Sequence, residues 1–294
     1  MANNIKYIDI HGHINFPVYD IDREAVIDRA KDAGVGMIIV GTDFSSSKRA
    51  IELAEKYENV WATVGVHPTD DVVSGQNDNT DTVSIFNYTA FKSLAVHPKV
   101  VAIGECGLDY FHKESISGEP LDIESQRSLF LAHIKLANYV NKPLMLHVRN
   151  APSSKNGCKT SDAYKEVVHM LKQNAKVRAN FHFFAGDIDD LSAVLDIKGM
   201  ISLTGVITFT SDYDEIIKRV PLDNLMTETD CPYVSPVPYR GKRNEPVFVI
   251  EVVKAITKIR SSLDDQGVRI VEKSDVGSKR GEQLLDNARS FFNL

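Results

Sequence analysis

Tyr7-Ile8-Asp9-Ile10-His11-Gly12-His13 is a short apolar run that ends in two histidines two residues apart. An extended strand sends successive side chains to opposite faces, so His11 and His13 point the same way. Two imidazoles aimed at one point offer nitrogen ligands to a divalent metal. An H-x-H pair alone does not make a site; its weight depends on what the rest of the chain repeats.

The apolar run recurs. Ile5–His11, Met37–Thr42, Val60–His67, Val100–Glu105, Pro143–Val148, Arg178–Phe183, Met200–Gly205 and Leu225–Asp230 are eight such segments. Helical or loop sequence follows each of them. Ala50, Leu53, Ala54 and Tyr57 fall at i, i+3, i+4, i+7, one face of an amphipathic helix. Asp122 stands at an N-cap position ahead of Phe130, Ile134 and Ala137, which repeat the helical spacing. Val249, Val252, Ile256 and Ile259 mark a later helix, and Leu284, Ala288 and Phe291 the last. Near-continuous apolar strands alternating with helices predict an α/β protein with a parallel sheet covered by helices. Eight repeats predict a closed (β/α)₈ TIM barrel rather than an open doubly wound sheet, a single domain over 1–294. No G-x-G-x-x-G or P-loop pattern follows any strand. Ser74–Thr82, Lys113–Pro120 and Ser261–Lys279 read as polar loops or insertions.

Composition sets the outer bounds. With 294 residues, 43% hydrophobic and 25% charged, the chain reads as a globular protein with no run long enough to span a membrane. Met1–Lys6 carries no apolar signal segment, and Cys106, Cys158 and Cys231 are too few and scattered for a disulfide framework, so a reducing, cytoplasmic setting is expected. The net charge of −6 argues against coating-type nucleic-acid binding but leaves room for a local phosphate site.

Barrels of this type place their chemistry at the C-terminal ends of the strands. Those ends read His11 and His13, Thr42, His67, Glu105, His147, His182, Gly205 and Asp230, which gathers five of the nine histidines with two carboxylates at one rim. Imidazole and carboxylate are the usual protein ligands of first-row divalent metals, so the rim predicts a metal site. His97, His112, His133 and His169 lie on helical or loop segments and are assigned no chemistry.

The same segments carry a family resemblance. They are Asp9-Ile-His11-Gly-His13, Val64-Gly-Val-His67-Pro68, Ile103-Gly-Glu105-Cys-Gly-Leu-Asp109-Tyr110, Leu146-His147-Val-Arg149-Asn-Ala151 and Phe181-His182-Phe. Further on come Ile201–Phe209, Glu228-Thr-Asp230-Cys-Pro232-Tyr233 and Arg240-Gly-Lys-Arg-Asn-Glu-Pro246, with Asn287-Ala288 and Phe291-Phe292 at the close. The chain resembles the TatD family of metal-dependent deoxyribonucleases, within the amidohydrolase-like superfamily of metal barrels.

The resemblance implies a phosphodiesterase acting on DNA, a 3′-5′ exodeoxyribonuclease that uses water activated by two divalent ions, whether Zn, Mn or Mg. It implies that His11, His13 and Asp230 hold one ion, His147 and His182 the other, and that Glu105 bridges them. A bridging carboxylate can hold two cations roughly 3.5–4 Å apart, the spacing of two-metal hydrolytic sites. Asp230 can also accept the water's proton. Glu228, on the same strand face, either orients a ligand, holds an additional ion or is an interior charge. His67, Arg149 and Arg240 are expected on phosphate oxygens, and Tyr110 and Tyr233 could stack nucleobases, with packing the expected role of at least one of the two; stacking suits single strands or 3′ ends of DNA, with RNA open. Lys242 and Arg243 complete a basic loop in which Arg240 could instead pair with Glu245.

Three positions depart from the family pattern: Thr69 where many relatives have a second histidine, Phe183-Phe184-Ala185 after the sixth strand, and Cys231 where serine is common. None removes a core ligand. Two other functions compete with the nuclease: a small-molecule amide or ester hydrolase of the same superfamily, and a barrel that binds without catalysis. Many of those hydrolases bridge their metals with a modified lysine on the fourth strand, where this chain has Glu105.

Overall fold

A computed structural model describes residues 5–70, 86–114, 118, 120–152, 162–264 and 273–294; the loop expected over Ser74–Thr82 and Cys158 fall outside them. Eight parallel strands follow in chain order around one sheet: β1 (Tyr7–Gly12), β2 (Val35–Ile39), β3 (Val60–Val64), β4 (Val100–Asp109), β5 (Leu144–Arg149), β6 (Ala179–Phe181), β7 (Met200–Leu203) and β8 (Leu225–Thr227). The last meets the first through a parallel Gly12–Cys231 bridge, with Asp230 N donating to His11 O and His13 N to Cys231 O. This is the expected (β/α)₈ barrel.

The helices α1 (Arg23–Asp32), α2 (Phe44–Lys56), α3 (Tyr88–Ala95), α4 (Ile123–Val140), α5 (Ala163–Asn174), α6 (Ile188–Asp196), α7 (Asp214–Arg219), α8 (Val249–Asp264) and α9 (Lys273–Phe292) cover it. Local chemistry starts them where the sequence suggests. Asp122 caps α4 by accepting from Glu124 N and Ser125 N, which satisfies donors that a first helical turn leaves free. The loop expected over Ser261–Lys279 is partly helical instead, since α8 runs on to Asp264 and α9 starts at Lys273. Adding a residue to a helix already anchored by Val249, Val252 and Ile256 costs little, so it outlasts its apolar stripe. No helix among the described residues is long and apolar enough to cross a membrane.

Among the described residues, two apolar clusters make the core. The larger lies between sheet and helices and includes Ile39, Val64, Leu108, Leu146, Phe130 and Tyr164. The smaller fills the barrel with Ile8, Ile10, Ile38, Ala102, Met145, Met200 and Met226, and is completed by Phe291 and Phe292 of α9. Side-chain parity explains how apolar filling gives way to polar chemistry higher up. From Met145 to His147 the step is two residues, and from Met226 to Glu228 and Asp230 likewise, so all face inward. Ile10 and His11 are adjacent, and Ala102 and Glu105 are three residues apart, so a regular strand could not turn both members of either pair inward. The ladder shifts register between Asp9 and Gly12 in β1 and between Ile103 and Cys106 in β4, which flips the parity there.

Candidate metal centre

Glu105 sits at the middle of the rim cluster and is 3% exposed. Its Oε1 lies 2.8 Å from His182 Nε2, 3.0 Å from His147 Nδ1 and 3.3 Å from His67 Nε2. Its Oε2 faces the other way, 3.3 Å from His11 Nε2 and 3.7 Å from His13 Nε2. Asp230 Oδ1 is 3.4 Å from His13 Nε2 and 3.8 Å from His11 Nε2. One carboxylate thus serves two sets of imidazoles. All six ligands expected from the sequence converge here, and His67 joins them rather than standing off at the rim.

Several groups look out of place without a cation. The Nε2 atoms of His11 and His13 are 3.3 Å apart, and the His11 and His182 rings stack at 3.7 Å. Among the described residues the buried Nδ1 of His11 has no hydrogen-bond partner. Burial lowers the pKa of His182, yet the Glu105 charge and the Glu105 and Glu228 hydrogen bonds outweigh it and raise it to about 10. Burial likewise opposes ionisation of Glu105, but His182, His67 and His11 hold its carboxyl well below the usual range. The carboxylates therefore demand positive charge in a space lined by nitrogen and oxygen donors. Three overlapping sets have donor atoms within 4.8 Å of one another: His11, His13 and Glu105; His11, His182 and Asp230; and His67, Glu105 and His147. The donor types fit zinc, manganese and similar ions.

The supporting residues are specific. Buried Asp9 accepts from His11 N at 3.3 Å, Thr229 N at 2.8 Å and Thr229 Oγ1 at 2.6 Å, tying β1 to the end of β8. Burial pushes its carboxyl well up. Asp230 itself adopts a left-handed φ of 53°, tolerable for aspartate, which turns it back toward His13. Glu228 accepts from Ser202 Oγ at 2.6 Å and from Phe183 N, and lies 3.5 Å from His182 Nδ1, so it orients His182. His67 is held by Thr69, whose hydroxyl is 2.7 Å from His67 Nδ1; the departure at that position thus keeps a contact to the histidine.

A cavity of about 480 Å³ opens above this cluster, bordered by Phe16, Thr69, His112, Arg149, Phe183 and Tyr233 among others. Arg149 and Tyr233 therefore line the cavity, with Arg149 over the Phe183 ring at 5.2 Å. Tyr110 and Arg240 do not. Glu105, Gly107 and Asp109 share the inward face of β4, so Tyr110 falls on the outward face, where its hydroxyl donates to Glu166 at 2.7 Å. Arg240 donates to Ser235 O at 2.8 Å and lies 4.0 Å over Phe209. Glu245 pairs with Arg29 at 2.8 Å rather than with Arg240, and Arg243 pairs with Asp22 at 2.6 Å.

Two residues at the site were missed from sequence. Asp109 Oδ2 receives His147 Nε2 at 2.9 Å and His112 Nδ1 at 2.7 Å. Burial opposes its ionisation, but His147 and His112 hold its carboxyl below the usual range. The signal was a strand that runs on to Asp109, which sets Asp109 four residues beyond Glu105 on the same face. Gly107 between them is required, because a Cβ there would lie 2.1 Å from His147 O. His112, assigned no chemistry from sequence, follows on the cavity wall.

A TIM barrel with histidines and carboxylates gathered at its C-terminal rim defines a metal-dependent hydrolase of the metal-barrel kind. A family model described as TatD related DNase matches residues 8–276, and the chain belongs to that family. The uncharacterized metal-dependent hydrolase YabD of Bacillus subtilis is 36% identical over 257 residues, 86% of this chain and 90% of that protein. The 3′-5′ ssDNA/RNA exonuclease TatD of Erwinia tasmaniensis is 32% identical over 298 residues, 97% of this chain and 99% of that protein. Among solved structures, YjjV, a TatD homologue from Escherichia coli K12, superposes with a TM-score of 0.75 at 26% identity, over 98% of each chain.

Proposed function

We propose that this chain is a phosphodiesterase that removes nucleotides from the 3′ end of single-stranded DNA, with RNA as the alternative polymer. The observation that carries the reading is the division of Glu105, whose two oxygens face separate sets of imidazoles. His11, His13 and Asp230 would hold one divalent ion, His147 and His182 the other, and Glu105 both. Ions so held would supply Lewis acidity toward a phosphoryl oxygen and a nucleophile at neutral pH. Asp230, at the cavity wall, accepts the proton of the attacking water. Arg149 binds phosphate oxygens through its planar fork, and Tyr233, 53% exposed, offers a stacking face to a base. A relative named as an ssDNA/RNA exonuclease supports the same substrate class.

The test is a panel of 3′-ended single-stranded DNA, RNA, esters and amides with Mg²⁺, Mn²⁺ and Zn²⁺, paired with elemental analysis of the protein as purified. Release of 5′-mononucleotides in sequence from the 3′ end is expected. Turnover of esters or amides with intact DNA and RNA would replace this reading by the small-molecule one.

A further inference from the structure

Five imidazoles border the cavity: His13, His67, His112, His147 and His182. Four are committed to the cluster. His13 Nε2 and His182 Nε2 face its carboxylates, His67 is spent on Thr69 and Glu105, and His147 uses both nitrogens on Glu105 and Asp109. His112 differs. Its side chain is 52% exposed, its Nδ1 is held by Asp109 Oδ2 at 2.7 Å, and among the described residues its Nε2 has no partner.

The placement is built rather than incidental. Asp109 Oδ1 accepts from Phe111 N at 2.8 Å and His112 N at 2.9 Å, so one carboxylate fixes both the backbone and the ring of His112. Asp109 simultaneously holds His147, a ligand in the proposed metal site, so His112 is anchored one carboxylate away from the reacting centre. A carboxylate on Nδ1 fixes the ring's orientation and commits that nitrogen, which leaves Nε2 as the atom able to exchange a proton with a group in the cavity. Other cavity groups suit that task less. Arg149 does not release its protons. Burial, with Asp230 and Glu105 nearby, raises the Tyr233 pKa and keeps its proton in place.

We propose that His112 is the proton donor to the departing sugar oxygen, a role that rests on the phosphodiesterase reading above. Water oxygen forms the new bond to phosphorus and passes a proton to Asp230. The P–O3′ bond breaks, its electron pair stays on O3′, and O3′ takes the Nε2 proton of His112. The products are a 5′-mononucleotide and a strand shortened by one, ending in a 3′-hydroxyl. Asp230 returns its proton to solvent and His112 regains one from it, so no other reactant is needed.

The experiment compares an ordinary single-stranded oligonucleotide with one whose terminal linkage carries a bridging 3′-sulfur, because a thiolate leaves without protonation. His112→Ala and His112→Asn should each lower kcat about 100-fold or more on the oxygen linkage, the low end for general-acid catalysis, and less than about threefold on the sulfur linkage. Metal content should match the wild type in both variants. Equal losses on the two substrates, or loss of metal, would reduce His112 to a support for Asp109 and overturn the proposal while leaving the nuclease reading intact. If the wild-type protein cleaves neither strand, both readings fall.

Discussion

His133 on α4 is fully buried and uses both ring nitrogens: Nδ1 donates to Leu129 O at 2.8 Å, and Nε2 accepts from Val66 N at 3.0 Å. The second bond pins the chain one residue before His67, so a helix on the outside of the barrel fixes part of the cavity wall. Accepting at Nε2 while donating at Nδ1 requires a neutral ring. Burial lowers the His133 pKa from 6.5 to about 4, so between those values the unfolded chain binds a proton that the folded one refuses. Stability is therefore full above pH 6.5 and is lost as pH falls toward 4. At 1.36 kcal/mol per pH unit, the window from 6.5 to about 4 is worth about 3 kcal/mol. Urea unfolding of the wild type and of His133→Gln, each at pH 7 and at pH 4, isolates the part due to His133, since carboxylates and any bound metal act alike in both proteins. Glutamine keeps an acceptor for Val66 N but does not titrate. The wild type should lose about 3 kcal/mol more than the variant on acidification. A difference between the proteins that stays constant with pH would refute the argument.

Three further outcomes bear on the site. Glu105→Ala should abolish hydrolysis and loosen both ions, whereas His182→Ala should weaken mainly one; elemental analysis that finds full metal in the Glu105 variant would remove its bridging role. Arg149→Ala should raise KM for DNA with unchanged metal content and reduce the salt slope of binding by roughly 0.7, the value for one phosphate contact on a single strand; an unaltered slope moves the strand's path elsewhere. Asp230→Asn keeps an oxygen for the metal while removing the proposed base, so kcat should fall by roughly 10²–10⁴-fold with much of the metal retained. A loss under about tenfold would shift the search for the base to another carboxylate.

What could be read from the sequence follows from which residues sit in regular structure. The strands were legible because a parallel barrel buries both faces of each, leaving runs such as Val60–Val64 almost uniformly apolar. The six cluster residues were legible because chemistry and position coincide at the strand ends. Tyr110 and Arg240 were misplaced for a different reason: the family motifs give their position in the chain but not the face on which the side chain emerges. For Tyr110, parity counted from Glu105 would have sufficed. For Arg240, nothing local foretells that Ser235 O and the Phe209 ring would capture the guanidinium. The bulges in β1 and β4 were likewise invisible, since a register shift leaves no periodic trace in six or ten residues. Yet those shifts let Ile8 and Ile10 seal the barrel while His11 and His13, directly above, face the same interior. Without the shift in β1, either the filling or the ligands would face the helices. The candidate metal centre thus depends on irregularities in the fold that the pattern of histidines and carboxylates does not announce.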